Sequence, residues 1–280
     1  MYDGACPSET VYQRAVGELR VTFKRRGSDT VLDDLRQAGC LKARFPRPVT
    51  AGWADVTTLN TSGGVASGDR LLSHFAIGPG ARAVVSGQAA ERFYRAPPGG
   101  SPSFVRTQLD IAAGAMAEWL PQETILFDNC ALDRRLEINL APEAWFLGVE
   151  SLVFGRAAMG ERVERAWLRD AWRVRRGGRW LLHEAVRMEG KVNATLSRKA
   201  IAGGASSVAT MLLVAPDAER FLSGVREVLA EYGAETGVSA WNGMLMARML
   251  APDSATLRQA VVAALGVIRA PRPLPRVWMC

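Results

Sequence analysis

The thirteen residues from Thr58 to Arg70, TLNTSGGVASGDR, hold small hydroxyl and amide side chains, three glycines and one acid, Asp69. Glycines at 63, 64 and 68 let the backbone take positive φ and let other groups approach it closely. Gly63 and Gly68 have the spacing of a phosphate-cradling loop, but Asp69 and Arg70 stand where that motif needs Lys and then Ser or Thr. A carboxylate there repels phosphate. Ser62 could be a nucleophile, yet a hydrolase elbow needs glycine two residues earlier and position 60 is Asn. A hydrolase using Ser62 therefore stands only as an alternative to a glycine-rich connection between strands.

Other groups narrow the chemistry. With two histidines, His74 and His183, one chain cannot assemble a three-histidine zinc site. A triad of Ser62, a histidine and Asp128 can be written, but no spacing supports it. Cysteines at 6, 40, 130 and 280 form no C-x-x-C pair, so neither a disulfide framework nor structural zinc is indicated, and a reducing cytosol suits them. Asp69, Glu91, Glu123, Asp128, Glu150 and Glu161 fall in or beside glycine-rich or apolar segments. A carboxylate in such surroundings must reach water or find a partner. Ion pairs with Arg70, Arg92 or Arg156 are the structural reading. The functional one is a polar passage, since carboxylate and water ligands hold divalent first-row metals weakly, as suits an ion in transit.

The elements that must position these groups read mostly as strands. GELRVTFKRRG alternates Leu19, Val21 and Phe23 with charge, and the weaker run from 30 to 45 is also taken as β. DRLLSHFAIGPGARAVVSG has the form of a hairpin about Gly78–Gly80. LDRRLEINL sets Leu136, Ile138 and Leu140 on one face, and WFLGVESLVFG is apolar enough to be covered on both faces, with Glu150 the exception. Gly177 and Gly178 predict a second hairpin, its first strand carrying Arg on a wet face and Trp on a dry one. Helical spacing appears late: Phe221 to Tyr232 behind Asp217 as a cap, then Leu257, Val261, Leu265 and Ile268 after Ser254, with Pro271 barring extension.

At 280 residues and 48% hydrophobic, the chain can bury a core unaided. A count of 35 Lys and Arg against 28 Asp and Glu gives +7, which fits a solvated basic surface, an acidic protein partner or, as an alternative, a basic RNA-binding β module. The first ten residues read as frayed. MYDGACPSET offers no leader, and the longest uncharged stretch, 200–216, is too short to span a membrane, so a cytoplasmic protein is expected.

The segments LNTSGGVASGDR (59–70), QAAERFYRA (88–96), EWLPQETILFDN (118–129), FGRAAMGE (154–161) and PLPRVW (273–278) resemble, in order, the urease accessory protein UreD family, also called UreH. Ala66-Ser67 departs from that family's loop, and the first fifty residues match only in strand style. The resemblance implies one UreD-like domain over 1–280, mainly β, with many short strands in a layered or helical arrangement and two C-terminal α-helices. It implies no enzyme but a scaffold or chaperone that, with UreF and the GTPase UreG, helps insert nickel into the urease apoprotein. Nucleic acid and membrane are not expected partners, and homodimerisation within the complex is open. No cofactor would be tightly bound and Ni2+ would bind transiently, with an ion conduit or its supports at Asp69, Glu123, Asp128 and Glu161.

Overall fold

Alternating apolar side chains make the strands, and glycine turns decide where the chain leaves one sheet for the next. The computed structural model describes residues 13–156 and 159–279, so residues 1–10, read as frayed, and two of the cysteines, Cys6 and Cys280, lie outside the described residues. β1 (Val16–Arg26) and β2 (Asp29–Gly39) pair as an antiparallel ribbon, followed by the antiparallel pair β3 (Leu41–Arg44) and β4 (Ala54–Asn60). From β4 the chain coils. β5 (Arg70–Ile77), β6 (Arg82–Gly87) and β7 (Glu91–Phe93) make one circuit. β8 (Ser103–Ile111), β9 (Met116–Leu120) and β10 (Thr124–Leu126) make the next, and β11 (Ala131–Leu140) and β12 (Trp145–Phe154) a third.

Circuits stack in parallel. β5, β8 and β11 line one side, with β13 (Arg165–Arg176) added to it, while β4, β6, β9 and β12 line a second. A short third side joins Val65, β7, β10 and the end of β12. The expected helical β arrangement is therefore present. The expected hairpin at Gly78–Gly80 is not: the turn forms, but β5 pairs with β1 and β8 whereas β6 pairs with β4 and β9. A coil turns a corner there, and a corner uses the same residues as a hairpin turn.

The hairpin at Gly177–Gly178 does form, joining β13 to β14 (Arg179–Lys191). Its Trp and Arg faces are not cleanly divided: Trp172 is buried among core residues, but Trp180 is 57% exposed. A short helix that spacing did not reveal, α1 (Val192–Leu196), leads to β15 (Ser207–Val214). Next come α2 (Leu222–Leu229), β16 (Glu235–Trp241), β17 (Met244–Ala251) and α3 (Ser254–Arg269). Asp217 does not cap α2; a 3-10 turn, Ala218–Phe221, intervenes, and Asp217 pairs instead with Arg220 at 3.0 Å. Asp253 caps α3, its carboxylate accepting from Thr256 N at 2.8 Å.

The seven-stranded sheet runs β14-β13-β11-β8-β5-β1-β2, and the main path of the ten-stranded sheet runs β16-β17-β15-β12-β9-β6-β4-β3. Phe23, Phe75, Leu109 and Ile138 from the first meet Val56, Val85, Phe146 and Leu212 from the second inside the coil. The other face of the ten-stranded sheet is buried too, because Val149, Met211 and Leu245 pack against Val225, Leu257, Val261 and Leu265 of α2 and α3. Among the described residues one sheet is thus covered on both faces and the other is open on its outer face.

Gly64 shows how tightly the coil is drawn. Its φ is +138°, and a Cβ there would stand 2.5 Å from the Tyr94 ring, whose hydroxyl donates to Gly63 O at 2.6 Å. Gly64→Ala is expected to destabilise the fold by about 2–3 kcal/mol, read by chemical denaturation, through clash and left-handed strain together.

Candidate functional site

β11 alternates inward Leu132, Arg134, Leu136 and Ile138, so the strand's own parity carries a guanidinium into the coil. β13 does the same with Asp170 between Leu168 and Trp172. Arg134 and Asp170 meet as a bidentate pair, Nε to Oδ1 at 2.9 Å and one terminal nitrogen to Oδ2 at 2.6 Å. That terminal nitrogen also lies 3.3 Å from Glu150 of β12, and the other donates to Thr124 Oγ1 of β10 at 2.8 Å. Trp119 Nε1 donates to one oxygen of Glu150 at 3.1 Å and Trp172 Nε1 to the other at 2.9 Å. One cation thus faces two buried carboxylates. Burial raises the proton affinity of Glu150 above the usual carboxylate range and nearby Asp170 adds to it, against the pull of Arg134 and the two indoles.

A cavity of about 380 Å³ reaches this cluster, lined by Asn60, Gly64, Glu91, Trp119, Arg134 and Glu150. The glycine loop forms part of its wall. There Asn60 Nδ2 donates to Gly64 O and to Glu91 Oε2, both at 3.2 Å. Burial pushes the Glu91 carboxyl up to about 7, opposed by the Asn60 bond. The cavity offers carboxylate, amide and hydroxyl oxygen. Among the described residues no three His, Cys, Asp or Glu side chains converge to hold a metal ion, so a divalent cation would find only weak oxygen donors here.

None of the four singled-out acids, Asp69, Glu123, Asp128 and Glu161, lines this cavity, and their carboxylates are already engaged elsewhere. Asp69 is 3% exposed and accepts from Ala15 N at 2.8 Å and Ala66 N at 2.7 Å, which fixes the glycine loop and explains an acid where a phosphate loop needs lysine. Glu123 accepts from Arg258 of α3 at 2.8 Å. Asp128 accepts from Arg165 N at 3.0 Å, and its own N donates to Glu161, which pairs with Arg156 at 2.6 Å. Asp128 and Glu161 are brought together; Asp69 and Glu123 stand apart from them in separate hydrogen-bonded sets. Of the arginine partners expected, only Arg156 is realised.

Two of the resembling segments turn out to hold each other. Gln122 donates to Val277 O at 2.8 Å, Trp278 Nε1 donates to Leu120 O at 3.0 Å, and Arg258 spans Gln122, Glu123 and Trp278 O. Deeper in, Glu118, fully buried, binds Arg269 at 2.9 Å and Arg272 at 2.5 Å, and Arg272 lies over the Trp53 ring. Thus 118–123 is the seat of the C-terminal tail. Ser62 Oγ lies 2.6 Å from Asn60 Oδ1 and 2.8 Å from Gly64 O, with no imidazole among its hydrogen-bond partners. His74 instead contacts Asp110 at 2.6 Å on the outer face of the open sheet.

Sequence reasoning noted Glu91 and Glu150 but missed Arg134 and Asp170, although extending the Leu136–Ile138 alternation two residues back would have found the first. Arg134→Met is expected to cost about 3–5 kcal/mol by denaturant titration, because it strands Asp170 and Glu150. The loss should be smaller at pH 5 than at pH 8, because burial raises the proton affinity of Glu150 and, without the guanidinium, it can take up a proton as pH falls. Glu91→Gln should melt higher than the parent at pH 8, with the gap closing toward pH 5. The reason is that a carboxyl whose folded pKa is raised loses stability as pH climbs from its unfolded value through about 7, and glutamine has no charge to bury.

The chain matches the UreD urease accessory protein family over residues 15–279. It is 44% identical over 266 residues to urease accessory protein UreD 3 of Bradyrhizobium sp. strain BTAi1, covering 95% of this chain and 94% of the relative. The corresponding UreD of Cereibacter sphaeroides is 45% identical over 272 residues, covering 97% and 98%, and that of Methylobacterium sp. strain 4-46 is 46% identical over 257 residues, covering 90% of each. With a family match spanning nearly all the described residues, and relatives aligned almost end to end, this chain belongs to the UreD urease accessory protein family.

Proposed function

We propose that this chain is a non-catalytic scaffold that acts with UreF and the GTPase UreG on the urease apoprotein, and that its interior cavity forms part of the path by which nickel reaches the urease active site. The observation that carries this reading is a cavity inside the coil with the carboxylates of Glu91 and Glu150 in its wall, in a chain of the urease accessory family. Oxygen ligands exchange nickel readily, so an ion can enter and leave. Asp69, Glu123, Asp128 and Glu161 serve that path as supports. They fix the glycine loop, the tail seat and the corner between β12 and β13, which hold the cavity wall in place. Nickel is cargo here, and no cofactor stays bound. No helix among the described residues is long and apolar enough to cross a membrane.

The test is nickel per urease active site, measured by elemental analysis of urease purified from cells whose copy of this chain is deleted and then restored. Deletion should leave urease polypeptide present but metal-free. Restoring with Glu91→Leu should recover co-purification of the partners but only a small fraction of the nickel. Full nickel content with the deletion would refute the scaffold role, and full content with Glu91→Leu would refute the path through this cavity.

A further inference from the structure

Among the described residues no helix or second sheet covers the outer face of the open sheet. Its arginines stand in register across the strands. Arg106 of β8 lies opposite Arg135 of β11, and Arg169 of β13 projects from the next strand beside Asp133. Burial holds the Arg106 guanidinium below its ordinary value, and Arg135 and Arg169 both push it the same way. Like charges opposed across a sheet destabilise the isolated chain. Asp133 answers Arg106 at 2.9 Å, and Glu137 is shared between Arg135 at 3.4 Å and Arg173 at 3.5 Å. Arg20 and Arg169 have no carboxylate within ion-pair distance among the described residues.

Apolar groups sit among these charges. Phe104 lies between Arg70 and Arg106, with guanidinium carbons 4.8 and 3.6 Å from its ring centre. Leu72 is 40% exposed beside it, and Trp180 stands at the far edge with Arg175 at 4.0 Å. A depression of about 430 Å³ opens between Arg20, Leu72, His74, Phe104, Arg106 and Arg135. Arginine and aromatic side chains around a shallow depression are the usual anchors of protein interfaces.

We propose that this face docks an acidic surface of a partner protein, whose carboxylates meet Arg20, Arg106, Arg135 and Arg169 and whose apolar side chain fills the space beside Leu72. A protein fits better than a nucleic acid, because Asp133, Glu137 and Asp110 are interleaved with the arginines and would repel an unbroken line of phosphates. A folded acidic patch can place its carboxylates at the arginines and leave gaps at these acids. The inference rests on the scaffold reading only in that the chain works inside a protein assembly.

The test compares the full chain with its Arg135→Glu/Arg169→Glu variant for binding to purified urease apoprotein and to co-expressed UreF and UreG, at low and high salt, with a short single-stranded RNA in parallel. The variant should lose about tenfold or more in affinity for one of these proteins, and the wild-type affinity should fall steeply with salt. Its circular dichroism should match the parent's, showing that any lost affinity is not lost fold, since the change relieves Arg135 against Arg106 but sets a glutamate opposite Asp133. Arg169→Glu alone, on an exposed side chain, serves if the double variant fails to fold. Equal affinity of variant and parent for every protein that the parent binds would overturn the docking face and leave the scaffold role standing. Loss of RNA binding with protein binding intact would overturn it in favour of nucleic acid. A parent chain that binds none of these proteins would bring down both readings.

Discussion

Arg134 ties together every side of the coil. It lies on β11, bonds Asp170 on β13, touches Glu150 on β12 and donates to Thr124 on β10, while Glu150 in turn takes the indole of Trp119 from β9. A coil of parallel strands needs some reason to keep its circuits in one register, since apolar packing alone tolerates sliding. A bidentate pair in low dielectric does not tolerate it, because each bond broken leaves a buried charge unpaired. The same cluster leaves one carboxylate in excess in the wall of the cavity. Structural demand and a polar interior therefore come from one set of residues.

The two sheets have different fates for a related reason. Helices α2 and α3 close over the ten-stranded sheet, and the tail is pinned beside them by Arg258, Gln122 and Trp278. The seven-stranded sheet has no such cover among the described residues, so its outward positions carry mostly charge and amide groups, with Phe104 and Leu72 among them, and β11 alternates buried with half-buried residues as expected of a half-solvated sheet. A rigid body with one sealed side and one wet, arginine-rich side is suited to assembly work. Its exposed surface can be occupied without disturbing the packing beneath.

The glycine-rich loop illustrates how a motif fragment misleads when read in isolation. Spacing alone resembles a phosphate loop, although Asp69 and Arg70 already spoke against one; in the fold Asp69 accepts from two backbone N–H groups, and Ser62 Oγ bonds within its own turn. The glycines serve closeness, letting the Tyr94 ring pack against the backbone at Gly64. Such a role leaves no trace in spacing, because the partner ring lies thirty positions away in sequence and one circuit away in space.

Local pattern was enough to establish most strands before residue 215, the inward face of β1 and β11, the last helix with its stop before Pro271, and a lone acid in an apolar strand, but not β16 and β17. These are consequences of side-chain period and of turn chemistry, which act over a few residues. Tertiary structure alone decided that the Gly78–Gly80 turn is a corner and not a hairpin, that residues 118–123 seat the tail, and that Arg134 selects Asp170 and Glu150 out of all the acids available. Those choices depend on which circuits stack and on which groups share a dry interior, where an ion pair is worth keeping only if its geometry closes. Distance along the chain carries no record of that.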